Sequence, residues 1–164
     1  MEPRITGCQG VLPTLLCGFL LASLQPAHGQ AGASDASYHP NPTYFVNSVT
    51  IQPDGKAIVG GGFYSIGGLA QPFVARLNSN GTLDIEFAPP VLDGPVTALL
   101  LQPNGQVLVG GPFAHADALL RGAVVRLEAN GTLDTNLDST LDGYDHLRAM
   151  ALQTDGKFLV ASDE

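Results

Sequence analysis

Ile51-Gln52-Pro53-Asp54-Gly55-Lys56-Ala57-Ile58-Val59-Gly60-Gly61 returns as Leu101-Gln102-Pro103-Asn104-Gly105-Gln106-Val107-Leu108-Val109-Gly110-Gly111. It returns again, with changes, as Leu152-Gln153-Thr154-Asp155-Gly156-Lys157-Phe158-Leu159-Val160-Ala161-Ser162. The shared glutamine recurs after 50 residues and then after 51. A period of this length belongs to solenoids, propellers and other arrays, in which each unit packs on its neighbours.

Just upstream of each glutamine lies an apolar set: Val46, Val49 and Ile51; Val96, Leu99 and Leu101; Leu147, Met150 and Leu152. The positions between them are mostly small or apolar (Ser48, Thr50, Ala98, Leu100, Ala149, Ala151), which predicts an inner strand buried on both faces. Pro53-Asp54-Gly55 reads as a tight turn, because Pro presets φ, Asp bonds to nearby backbone and Gly accepts a positive φ. The following apolar run ends in Gly60-Gly61, and paired glycines in a strand predict a bulge or a backbone too close for a side chain. A longer connection, Tyr64 to Pro72, leads into Phe73-Val74-Ala75-Arg76-Leu77, and Asn80-Gly81 turns the chain into Thr82-Leu83-Asp84. The second period repeats this order with Val124-Val125-Arg126-Leu127, Asn130-Gly131 and Thr132-Leu133-Asp134. Four short antiparallel strands joined in sequence make a β-propeller blade. Solenoid repeats are usually shorter and carry helices or one strand per turn, so the propeller is the preferred architecture.

Twenty glycines, twelve prolines and no tryptophan fit an all-β chain of short strands and tight turns. Residues 1–29 read as a signal peptide: Arg4 begins it, Leu15 to Leu24 is apolar, and Ala27-His28-Gly29 offers small residues for cleavage after Gly29. The apolar run is too short to span a bilayer. Both cysteines, Cys8 and Cys17, fall in this segment, so the mature chain is expected to fold without disulfides. Glu2 and Arg4 cancel, leaving the formal net charge at −8 with or without the segment. That charge argues against nucleic acid and against an anionic membrane surface as partners. The expected location is secreted, periplasmic or on the cell surface.

Gln52-Pro53-Asp54-Gly55-Lys56, the apolar run, Gly60-Gly61, Phe63, Arg76-Leu77-Asn78, Asn80-Gly81-Thr82-Leu83-Asp84 and Phe87 together resemble the delta-60 repeat of exported bacterial β-propeller proteins. The resemblance extends from Asp35 to the C-terminus. It departs at Leu137, which replaces the closing aromatic, at Pro112, which replaces the third glycine, and at Ala161-Ser162, which replaces Gly-Gly. What it implies is a fold and an exported context, with no defined reaction. Asp35 to Pro40 resembles the closing segment Asp84 to Pro89, so the chain opens on the tail of a preceding blade. The expected organisation is a signal peptide over 1–29, that tail over 30–45, blade repeats over 46–95 and 96–146, and a truncated repeat over 147–164. This is about two and a half four-stranded blades, whereas closed propellers have roughly four to eight. A fragment of a longer propeller is therefore expected, with a ring of several short chains as the weaker alternative.

In an up-and-down blade both tight turns fall at one end and both long connections at the other. The long connections differ between periods, Tyr64-Ser65-Ile66-Gly67-Gly68 against Ala114-His115-Ala116-Asp117-Ala118, as binding loops on a rigid scaffold do. Tyr64, His115, Asp117, Arg121, Asp145 and His146 are accordingly the candidate binding residues. Gln52, Gly55, Gly60, Gly61, Arg76, Asp84 and their counterparts Gln102, Gly105, Gly110, Gly111, Arg126, Asp134 recur and read as architecture, each Arg and Asp pairing diagonally within its blade. His115-Ala116-Asp117 and Asp142-Gly143-Tyr144-Asp145-His146 lack a defined ligand spacing, so no metal or other cofactor is expected. The Asn80-Gly81-Thr82 and Asn130-Gly131-Thr132 triplets fit glycosylation acceptors, but the hairpin turn accounts for them. No Gly-x-Ser-x-Gly or phosphate loop is present. The expected function is a non-catalytic exported module that binds a protein or glycan through its variable loops. The alternative is a fragment of a propeller enzyme, hydrolase or lyase, whose site residues lie mostly elsewhere.

Overall fold

The computed structural model describes residues 37–137 and 147–163. The segment read from sequence as a signal peptide, the start of the 30–45 segment and the end of the second repeat lie outside them. The first blade comprises β1 (Val46–Ile51), β2 (Ala57–Gly61), the short hairpin β3 (Ser65–Ile66) and β4 (Leu69–Ala70), and β5 (Val74–Leu77). The second repeats it as β6 (Ala98–Leu101), β7 (Val107–Gly110), β8 (His115–Ala116), β9 (Leu119–Leu120) and β10 (Val124–Leu127). The third contributes β11 (Leu147–Leu152) and β12 (Phe158–Ser162). The sheets are antiparallel meanders ordered β1-β2-β5, β6-β7-β10 and β11-β12, and no helix forms among the described residues. These are β-propeller blades, incomplete as a set, and none of the sheets closes on itself.

Two expectations need correction. The fourth strand of each blade is reduced to a single bridge, Leu77 to Leu83 and Leu127 to Leu133. Asp84 is the reason: its N–H donates to Arg76 O at 2.8 Å, and its Oδ1 then accepts from Glu86 N at 3.1 Å, which turns the chain away from the sheet. The strand expected to be buried on both faces is instead exposed at β1, where Val46, Val49 and Ile51 are 38%, 56% and 62% accessible. Their counterpart Val96 is fully buried and Leu99 and Leu101 half-buried, because the first blade lies against them. Burial of this strand depends on a neighbouring blade, which β1 lacks among the described residues.

The paired glycines have two separate causes. A Cβ on Gly61 would stand 2.2 Å from Phe45 O, because the chain bulges between Val46 and Ser48 as it pairs with β2. A Cβ on Gly60 would stand 2.4 Å from Val96 Cγ1 of the next blade. Gly110 receives Leu147 in the same way, its absent Cβ 2.9 Å from both leucine methyls. Around these contacts Ile58, Val96, Val109, Phe113 and Leu127 form one buried cluster spanning the first two blades. Each such side chain contributes ~1.5–3 kcal/mol on leaving water.

A buried ion pair closes each of the first two blades. Arg76 Nε donates to Asp84 Oδ2 at 2.7 Å and Lys56 Nζ donates to the same oxygen at 2.7 Å, while Arg126 Nε meets Asp134 Oδ2 at 2.7 Å. Arg76 also reaches the next blade, donating to Ala129 O at 2.7 Å and lying 4.7 Å over the Phe87 ring. Phe87 in turn packs on Gly131, as Tyr38 packs on Gly81 one blade earlier. Burial works to raise the Asp84 carboxyl, but hydrogen bonds from Lys56, Arg76 and Glu86 N, with the Arg76 charge, hold it below its ordinary value of 3.8.

Gly60→Ala is expected to destabilise the chain by ~1–3 kcal/mol through overpacking, read from the denaturation midpoint, and Val96→Ala in that background to recover part of the loss. Asp84→Asn strands two cations and is expected to cost ~3 kcal/mol. Because the folded-state pKa of Asp84 is depressed, its stabilisation is full above the unfolded carboxylate value and drains as pH falls through the folded one. A plot of stability against pH should therefore drop in acid for the wild type, with a shallower drop in the variant.

Candidate functional site

The long connections dock on the segments that enter each blade. Thr43 Oγ1 accepts from Tyr64 N at 3.1 Å and Ser65 N at 3.0 Å, and one period later Asp93 Oδ1 accepts from Ala114 N and His115 N, each at 2.9 Å. Asp93 Oδ2 lies 2.7 Å from His115 Nδ1, with both side chains about half exposed. The Asp93 carboxyl is held below the ordinary range: burial pushes it up, but the backbone and ring hydrogen bonds of His115 and that of Ala114 N outweigh burial. Asp117 sits at φ 53, in the left-handed region that Asp tolerates, at the place where the first blade has Gly67 at φ 60. Its N–H donates to Val91 O at 2.8 Å and its Oδ1 accepts from Val91 N at 2.9 Å. These hairpins are clamped, not loose.

Between the first hairpin and the entry to the second blade is a recess of about 220 Å³. Tyr44, Phe45, Tyr64 and Phe73 form one side, Asp93 and Gly94 the other. Tyr44 and Phe45 are tilted 50° with centroids 4.7 Å apart, and Tyr64 and Phe73 are tilted 60° at 5.6 Å. Tyr64, Tyr44 and Phe45 are 67%, 62% and 47% accessible. Phe73 has φ 64, a conformation that bulky residues rarely adopt and that costs ~1–3 kcal/mol. It is held there by Phe73 N donating to Phe63 O and Gly61 N donating to Phe73 O, both at 2.9 Å. At the equivalent positions the second blade has Gly94, Pro95, Ala114 and Ala123. The second blade thus forms the same strand ladder without these four rings.

A larger recess, about 450 Å³, lies at the opposite end between the tight turns of the second and third blades, lined by Gln102, Asn104, Leu152, Gln153 and Thr154. Gln102 Oε1 is buried there without a hydrogen-bond partner, but so is Gln52 Oε1 one period earlier. That feature belongs to the repeat, and the aromatic recess is the more distinctive site.

Of the residues proposed from sequence, Tyr64 lines this recess, and His115 reaches it through its bond to Asp93. Asp117 clamps Val91, and Arg121, half-buried, donates its N–H to Ala114 O at 2.7 Å at the base of the second hairpin. Asp145 and His146 lie outside the described residues. Sequence reasoning missed Tyr44, Phe45, Phe73 and Asp93. Comparing Tyr44-Phe45 with Gly94-Pro95 across one period was the available signal. Among the described residues no group of three or more His, Cys, Asp or Glu side chains is placed to hold a metal ion.

A family model described as a domain of unknown function (DUF5122) beta-propeller matches residues 52–87 and 102–142. Each matched stretch starts at the repeated glutamine. No curated protein and no solved structure matches the chain.

Asp93→Ala removes the acceptor for two backbone N–H groups and the partner of His115. It is expected to lower the free energy of opening the 114–120 hairpin by ~1–2 kcal/mol, read as amide hydrogen exchange roughly 5–30 times faster there than in the wild type, with β7 unchanged.

Proposed function

The chain belongs to this β-propeller repeat family, and on that premise we propose that it is an exported, non-catalytic binding module that holds a glycan at the aromatic recess of its first blade. The observation that carries the reading is the set Tyr44, Phe45, Tyr64 and Phe73, four rings gathered at positions where the second blade has Gly, Pro, Ala and Ala. Aromatic faces stack on the C–H faces of sugar rings, and a carboxylate accepts from sugar hydroxyls; a mostly apolar recess with few placed polar groups is the usual form of such a site. Asp93 supplies the carboxylate, already fixed by Ala114 N and His115 N. The strain at Phe73 supports the reading, because strained backbone that the scaffold over-determines clusters at ligand sites. Arg4, the apolar run and Ala27-His28-Gly29 support export. Tyr64 lines this recess and His115, Asp117 and Arg121 lie on the neighbouring hairpin, which makes that hairpin the wider variable-loop face; Asp145 and His146 remain candidates from sequence alone.

The test is titration calorimetry of the secreted chain with neutral β-linked glucose, mannose and N-acetylglucosamine oligosaccharides. At least one class is expected to bind, and Tyr64→Ala to weaken it about tenfold, the loss expected from one stacked ring. Leu120→Ala, on the second hairpin, should leave the affinity unchanged. Failure of every oligosaccharide to bind, or equal affinity in Tyr64→Ala, would reject the glycan reading.

A further inference from the structure

Alternate residues of each second strand face the following blade. Ile58 and Leu108 are both fully buried there, beside Gly60 and Gly110. The third blade has Leu159 and Ala161 at these positions, and Leu159 is 56% accessible. Opposite, β1 exposes Val46, Val49 and Ile51, the counterparts of the residues with which β6 and β11 dock. These two exposed faces continue an interface that the chain builds twice. Hydrogen bonds reinforce its first instance: Val96 N donates to Gly61 O at 3.1 Å, and Asn47 Nδ2 donates to Val96 O at 2.8 Å.

A second copy of the chain could set its Val46 face on the third blade but for one methyl group. The space that a Cβ on Gly60 would enter is held by Val96, whose Cγ1 and Cβ would be 2.4 and 3.0 Å away. Valine is branched at Cβ and stiff, so it yields to a Cβ less readily than a longer side chain would. At Gly110 the incoming residue is Leu147, whose contacting methyls lie at the far end of a flexible side chain. Val46 arriving at Ala161 would reproduce the valine contact with the forbidden Cβ present.

We propose that Ala161 is a specificity-determining residue for blade stacking. Its methyl group disfavours docking of the Val46 face of another copy on the third blade. Both glycine sockets among the described residues, Gly60 and Gly110, are already filled by the following blade. Without this exclusion, complementary unlike faces would join head to tail, a geometry that generates open chains of subunits unless the rotation closes a ring.

Sedimentation velocity of the full chain across a wide concentration range tests this. The wild type is expected to run as one species, and Ala161→Gly to self-associate at least about tenfold more tightly, the scale of one overpacked contact removed. Adding Val46→Asp to Ala161→Gly should abolish the association. Val46→Ala, which trims the same contact from the other side and leaves the third blade intact, should move association in the same direction and serves if the glycine variant fails to fold. The proposal is overturned if neither variant associates more than the wild type, if Val46→Asp has no effect on the association, or if the wild type already assembles through Val46.

Discussion

The insertion of a first-strand side chain into a glycine of the preceding blade sets the spacing of everything else. Val96 at Gly60 and Leu147 at Gly110 bring consecutive sheets closer than any residue with a Cβ would allow. At that distance Ile58 and Leu108 lose all contact with solvent, and a core forms between blades more than within them. A propeller blade is thin: three paired strands and a bridge cannot bury two apolar faces alone. The first blade shows the consequence, since β1 is well formed in its ladder yet exposes its outward apolar side chains.

The ion pairs act at the outer edge as the glycines act near the inner strand. Asp84 gathers Lys56, Arg76 and a backbone N–H around one carboxylate, fixing where the sheet ends. Arg76 extends that arrangement to Ala129 O and the Phe87 ring, so the edge of one blade is fastened to the turn of the next. In the second blade Gln106 stands in the position of Lys56, with Nε2 donating to Glu128 at 3.1 Å and to Asp134 at 3.5 Å. The Arg–Asp pair is what the two blades share; the third participant varies.

Most of the fold was legible in the sequence because its signals are local and repeated. Pro53-Asp54-Gly55 and Asn80-Gly81 specify turns by backbone conformation alone, with Gly55 and Gly81 both at φ 83. The shortened fourth strand was not legible, because it depends on where the Asp84 carboxylate bonds, and Thr82-Leu83-Asp84 reads equally well as a strand. Nor was the exposure of β1, which reflects the lack of a neighbouring blade among the described residues and not its own composition. The site was half legible: the difference between hairpins pointed to Tyr64 and His115. The recess itself needs Tyr44 and Asp93, whose segments are brought together only when two blades pack. Phe73 looked like an ordinary strand residue, and nothing in its neighbours betrays a positive φ.

Chain order gives the glycine interlock a consequence for folding in time. Each β-ladder pairs segments close in sequence, and blade-to-blade contacts span about one period, the Arg76 to Ala129 bond among them. Contacts confined to about one period favour folding that propagates from unit to unit. Gly60 precedes Val96 in the chain and Gly110 precedes Leu147. During synthesis from the N-terminus, each socket is therefore displayed before the side chain that fills it emerges, so a folded blade serves as the template on which the next one condenses.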